Sequence, residues 1–327
     1  MYSWIMSKNK KKTRSQPKKL YRVRNWSDYD AALVNRGSLT IWISEDAIAK
    51  WKPEQEPKRR GRQRDYSDLA IETALMLKEV YHLTNRSTEG FLRSLFMLMQ
   101  IDLPVPDHTT LSVRGKELSV TLPKKRTSSL HIVVDSTGLK VYGEGEWKTR
   151  KHGISKRRTW RKLHLAVNPE DGQIEAVVLS EAGLSDADAV GPMLAQIDQE
   201  IESFGADGAY DKRKVYQKIR DHSPDCQMNV PPQKNARIWQ HGNCKAPPHP
   251  RDENLRYTRK HGRRAWKRDS NYHQRSLAET TMFRMKIIFG DKLSARLFET
   301  QSTQAQIRSR TLNIMTHLGM PDSYQVA

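Results

Sequence analysis

Three acids far apart along the chain, Asp135, Asp207 and Glu279, have the type and setting that oxygen-ligated metal chemistry uses. Asp135 closes a compact β-prone run over residues 130–135, within His131-Ile-Val-Val-Asp-Ser-Thr-Gly138, and Asp207 closes another within Gly205-Ala-Asp-Gly-Ala-Tyr210. An acid at the carboxyl end of a strand, followed closely by glycine, leaves the sheet where a ligand can approach. Two such acids on adjacent central strands would sit side by side. Taken singly, Asp-Ser-Thr-Gly and Asp-Gly also read as ordinary turns. Glu279 lies in a helical segment that starts near Ser270 and is closed by Gly290. At ~100° per residue, Tyr272, Arg275, Glu279 and Lys286 fall within an arc of roughly 60°, beside an apolar stripe of Ala278, Met282, Met285 and Phe289. The stripe can pack on a sheet and aim Glu279 along its edge. Arg275 and Glu279 read equally as an i,i+4 ion pair on a solvated helix.

The elements that must position these acids follow from the rest of the chain. Its 327 residues are enough for two or three structural units, and the net charge of +20 favours a polyanionic partner, nucleic acid before any other. The sequence pI is near 9.9. Two cysteines, Cys226 and Cys244, form no CxxC pair, so a disulfide framework or cysteine zinc site is not expected. No apolar run approaches the ~20 residues that span a bilayer. The start of the chain turns basic without a secretory apolar segment, so no membrane partner and a reducing cytoplasm are expected.

Residues 1–25 read as a basic tail, and 26–64 as short elements and a basic linker, with Ser44 a cap for a helix beginning at Glu45. Over 65–120 the pattern is helical. Leu69, Thr73, Met76, Leu77 and Val80 recur at helical spacing, Thr84 and Ser87 are candidate caps, and a third segment opens at Pro106-Asp107. Three short helices with a basic last one suit a helix-turn-helix DNA reader, with His108, Arg114 and Lys116 as candidate contacts; a plain helical bundle fits as well. Beyond a basic spacer at 124–126 come strands at 130–135, 160–167 and 173–180, the last two joined by the turn Asn168-Pro-Glu-Asp-Gly172. A helix over 188–201, a strand ending at Asp207, a helix over 212–221 and a strand over 226–230 follow, then a polar stretch at 231–267. This order predicts an α/β fold over 128–327, a ribonuclease H-like mixed sheet with flanking helices, preceded by a small all-α helix-turn-helix-like domain. His164, between Leu163 and Leu165, reads as structural; His152 and His273 remain conceivable ligands, and Trp147 and Trp160 either stack on bases or pack.

Tyr272-x2-Arg275-x3-Glu279-x6-Lys286 matches every defined position of the Y-x2-R-x3-E-x6-K signature, and the sequence resembles the DDE transposases of bacterial insertion sequences. Ile132-Val-Val-Asp135 and Ala206-Asp207-Gly208 look like that family's two aspartate strands. Gly143-Glu-Gly-Glu-Trp-Lys148, Trp160-Arg-Lys-Leu-His-Leu-Ala166 and Leu318-Gly-Met-Pro321 resemble insertion-sequence family five. The resemblance implies a transposase that binds terminal inverted repeats and cleaves and joins DNA with Mg²⁺, or Mn²⁺ in its place, held by Asp135, Asp207 and Glu279. It implies Tyr272, Arg275 and Lys286 on DNA near the scissile phosphate, target DNA as second partner, a homodimer or higher oligomer at paired ends, and a location at the bacterial nucleoid. Rival readings are a non-catalytic DNA-binding regulator and a nuclease of the same fold that cuts without joining. The short basic stretch at 231–267 departs from relatives with a long β-rich insertion there.

Overall fold

A computed structural model describes residues 20–54, 63–123, 129–141, 160–240 and 247–326. Residues 1–19 of the basic tail, the spacer at 124–126, the Gly143–Lys148 block with Trp147, His152, Cys244 and most of the 52–64 linker lie outside the described residues.

The apolar run at Leu130 does not stop at Asp135. Strand β2 (Leu130–Val141) continues through Asp-Ser-Thr-Gly, a correction to the strand end expected at Asp135. Strand β3 (Trp160–Val167) runs antiparallel beside it, with Asp135 opposite Leu165 and Gly138 opposite Lys162, and this ladder holds the tetrapeptide extended. The hairpin to β4 (Ile174–Glu181) forms as expected, closed by the Asn168 N–H on the Gln173 carbonyl at 2.8 Å. Strands β5 (Ile201–Gly205) and β6 (Gln227–Asn229) add parallel to β2, giving the order β4-β3-β2-β5-β6. A short β7 (Lys292–Leu293) pairs with the far end of β2.

Alternation along β2 divides two cores. Leu130, Ile132 and Val134 pack with α7 (Asp186–Leu194) and α8 (Arg213–His222). Val133 and Leu139 face α11 (Ser276–Phe289), α12 (Phe298–Leu318) and the amino-terminal helices. Those helices are α1 (Trp26–Asn35), α2 (Leu39–Trp42), α3 (Glu45–Ala49), α4 (Asp68–Val80), α5 (Asn85–Leu98) and α6 (His108–Glu117). Ser44, Ser67, Thr84 and Asp107 each accept a backbone N–H at a helix start, which fixes where α3 to α6 begin. The helices α4 to α6 share one hydrophobic cluster with the sheet face and α12. A buried polar network fastens them. Arg308 Nε donates to Glu79 at 2.6 Å, Gln304 donates to the same carboxylate at 2.9 Å, and Arg310 pairs with Glu72.

Several boundaries differ from the sequence reading. The helix expected at 188–201 spans Asp186–Leu194, and Ile201 opens β5. Just past that helix the Gln196 carboxamide brackets Val177 of β4, donating to its carbonyl at 3.0 Å and accepting its N–H at 3.1 Å, which turns the chain back to the sheet. The polar stretch at 231–267 contains two helices, α9 (Pro250–His261) and α10 (Arg263–Asp269), joined at Gly262, whose φ of +85° a side chain would strain. Leu20–Val23, read with the basic tail, forms β1 and pairs antiparallel with β8 (Ser323–Val326). Among the described residues no helix is long and apolar enough to cross a membrane.

Candidate active site

The site forms where the edge of β2 is interrupted. Strand β5 pairs with Leu130 to Val133, and β7 pairs with Lys140 and Val141. Between them this side of β2 has no strand neighbour among the described residues, and Asp135 and Thr137 lie in the gap. Val133 pairs with Gly205, the last residue of β5; Asp135 stands two residues further along β2 and Asp207 two residues past the end of β5. The chain therefore carries Asp207 out of β5 at about the level where Asp135 lies within β2. Asp207 accepts the Ala209 N–H at 2.8 Å and starts a 3₁₀ turn, Gly208–Tyr210, that the fully buried Tyr210 anchors in the α7/α8 core.

Helix α11 supplies the third acid. Ala278, Met282, Met285 and Phe289 are all buried against the sheet, as the apolar stripe predicts. Tyr272 and Arg275 belong to a 3₁₀ turn ahead of the helix rather than to the helix itself, because Asn271 turns left-handed at φ 52° and breaks the chain after α10. The direction survives that correction. Arg275 Nη1 donates to Asp135 Oδ2 at 2.9 Å and Nη2 to Glu279 Oε1 at 2.5 Å, while Lys286 Nζ donates to Thr137 Oγ1 at 2.6 Å.

Asp135 is 17% exposed, Arg275 20% and Glu279 52%. Burial raises the Asp135 carboxyl above its ordinary value; the Ser136 N–H and Arg275 oppose that rise, and the charges of Asp207 and Glu279 add to it. The three acids thus share one electrostatic neighbourhood. Among the described residues no three His, Cys, Asp or Glu side chains are grouped closely enough to hold a metal ion. The guanidinium of Arg275 lies between Asp135 and Glu279 and is the cation those two carboxylates hold. Burial also pushes the Tyr272 phenol up. Its ring packs on Trp266 at 5.6 Å between centroids, with Lys267 Nζ 5.1 Å and the Arg275 guanidinium 5.8 Å from its centre.

The other nominated residues lie elsewhere. Arg114 is 11% exposed and donates to the Tyr66 carbonyl at 3.0 Å and to Asp68. His108 is bound through Nδ1 to Glu89 at 2.8 Å, and Lys116 is exposed. His164 is buried on the opposite face of the sheet from Asp135, bound to Ser180 at 2.9 Å, and burial lowers it to about 4, so it stays neutral. His273 is exposed, and Trp160 is 39% exposed with Lys140 over its ring. Sequence reasoning missed Thr137, Trp266 and Lys267. Thr137 had a signal, two residues past Asp135 on the same strand face; the packing of Trp266 against Tyr272 depends on the α10 turn and had none.

A family profile described as Transposase DDE domain matches residues 126–314, and a second of the same description matches residues 34–144. Among solved structures, the piggyBac transposase synaptic complex with hairpin DNA is similar over 88% of this chain and 75% of that one, at 9% identity and a TM-score of 0.37, a superposition too loose to set the fold. The longer profile covers more than half of the chain and spans β2, β5 and α11 with all three acids: the chain belongs to the family of DDE-domain transposases.

Proposed function

We propose that the protein is a DNA transposase that binds the terminal inverted repeats of an insertion sequence, cleaves at its ends and joins them to target DNA. The observation that carries this reading is the placement of Asp135 and Asp207 two residues beyond the Val133–Gly205 pair, beside a turn whose Arg275 ties Glu279 of α11 to Asp135. The sheet order, with the antiparallel ladder β4-β3-β2 on one side of β2 and the parallel ladder β2-β5-β6 on the other, supports a ribonuclease H-like core.

The donor set fits a hard divalent cation, Mg²⁺ or Mn²⁺, since all three side chains offer oxygen and two of them already hold a cationic group. Asp135, Asp207 and Glu279 would hold it once Arg275 releases its carboxylates. Such an ion supplies positive charge to a phosphodiester under attack and lowers the pKa of a bound water. Arg275, freed from the acids, has the fork geometry to take a phosphate bidentately, and Lys286 adds a point charge. Tyr272, held against Trp266, presents a ring to the DNA. In the first reaction water attacks the phosphorus at the element's end, leaving a free 3′-hydroxyl on one strand and a 5′-phosphate on the other fragment. In the second that 3′-hydroxyl attacks a target phosphodiester, forming a bond to its phosphorus as the target's own P–O3′ bond breaks and a target 3′-hydroxyl leaves. End recognition falls to the helices α4 to α6, where exposed Lys116 is the nominated side chain best placed to meet DNA. A homodimer or larger assembly holds the two ends together.

The test uses full-length protein, Mg²⁺ and duplex DNA carrying the element's ends. Cut and joined product supports the proposal. Cutting without joining makes the protein a nuclease, and end-specific binding without cutting makes it a regulator.

A further inference from the structure

Helices α9 and α10 were expected as a polar gap, yet they form a folded unit on the edge strand next to Asp207. Strand β6 ends the sheet, and Asn254 of α9 caps it by donating to the Met228 carbonyl at 2.8 Å, with Leu255 and Trp266 buried behind. The arginines of this unit divide sharply by what they do. Arg251 is buried against Asp211 and Asp252, Arg259 and Arg263 donate to the carbonyls of Ala236 and Pro232, and Arg268 pairs with Asp269. Arg256, Lys260 and Arg264 do none of this. All three are exposed and pair with no carboxylate among the described residues.

Their placement is not that of scattered solvating charge. Arg256 and Lys260 are one turn apart on the outward face of α9, where like charges repel. Arg264 lies just past the Gly262 joint, on the side of α10 away from buried Trp266. From there α10 runs into the Tyr272–Arg275 turn, and Lys267 sits over the Tyr272 ring. Lys267, one turn past Arg264, carries this positive charge to the Tyr272 ring, on which Arg275 of the carboxylate site also lies. Tyr257, at 36% exposure, is the largest apolar body on α9 and α10 that reaches solvent, so the face lacks the buried anchors of a protein interface.

The geometry points to a second DNA-binding surface: Arg256, Lys260, Arg264 and Lys267 take backbone phosphates of the duplex flanking the scissile position. This rests on the reading of the carboxylate site as one that acts on DNA. Such contacts are indifferent to base sequence and release counterions, so they are read in the salt dependence of binding.

The experiment measures anisotropy of a fluorescein-labelled duplex of random sequence against full-length protein over a range of salt. The triple variant R256Q/K260Q/R264Q is expected to lose about 10- to 100-fold in affinity, with the log–log salt slope reduced by about one unit per residue removed. R256K/R264K keeps the charge and the wild-type slope. Neutralising Arg24, Lys50 and Lys52, exposed cations outside α9 and α10, changes the slope far less. Wild-type affinity and slope in the triple variant, or an equal loss in the distant variant, overturns this surface and leaves the active-site reading standing. Failure of the wild-type chain to bind duplex DNA overturns both.

Discussion

Arg114 on α6 and Arg275 ahead of α11 are both largely hidden arginines that reach a carboxylate. Arg114 meets Asp68, an acid 62% exposed that Arg64 also reaches at 3.5 Å, and a carbonyl, and together these fasten α6 to the start of α4. Arg275 meets two acids at once, one of them held above its ordinary pKa with a third nearby. An excess of acids around one arginine is an unfinished charge balance that another cation can complete. The Arg114 pair is already complete. That difference distinguishes the two arginines where exposure, 11% against 20%, does not.

Four substitutions can break or sharpen that contrast. Asp207→Asn removes a carboxylate from the shared set and should lower cleavage about 1000-fold, several kcal/mol of barrier, with the fold intact by thermal melting. Normal cleavage would separate Asp207 from the other two acids. Arg275→Ala should cost about 100-fold in cleavage, through the lost phosphate fork. The same variant, without DNA, should bind Mn²⁺ more tightly than wild type in a titration, since no guanidinium then competes for Asp135 and Glu279. Weaker Mn²⁺ binding would mean that Arg275 organises the acids instead of occupying them.

His164 tests whether the sheet behind the site is as dry as its burial implies. The folded state keeps it neutral down to about pH 4, whereas the unfolded chain takes the proton near the ordinary value of 6.5. Between those values the unfolded state binds more protons, so stability should fall as pH falls. Going from about pH 7.5 to about pH 5 should cost about 2 kcal/mol in urea unfolding, a loss that His164→Gln removes. The smallest expected effect is that of Arg114→Ala, a loss of about 1–2 kcal/mol in stability with DNA affinity of the folded protein unchanged within about twofold. A large drop in affinity at full stability would return Arg114 to the DNA-contacting surface.

Much of the site was legible because its carriers have strong local patterns. The apolar runs before Asp135 and Asp207 and the stripe Ala278, Met282, Met285, Phe289 are periodicities that survive in the fold. The extension of β2 beyond Asp135 was not legible, since Asp-Ser-Thr-Gly has turn chemistry and only the distant β3 keeps it straight. Helix α12 left little trace because its buried side is polar: Gln301, Gln304, Arg308 and Asn313 are hidden by bonding partners far away in sequence. Helix α9 did carry local signals, Pro250 in its first turn, acids after it, a basic last turn and Gly262 beyond. Its outward charge outweighed them. The β1–β8 pairing joins chain ends and depends wholly on the assembled core.

The most direct measurement compares Glu279→Gln with wild type on one labelled DNA end, recording binding and cleavage from the same samples. Because glutamine keeps the shape and the hydrogen bond to Arg275 but loses the charge, the account predicts near-normal binding and no detectable cleavage or joining. Cleavage at the wild-type rate in that variant would contradict a shared role for the three carboxylates.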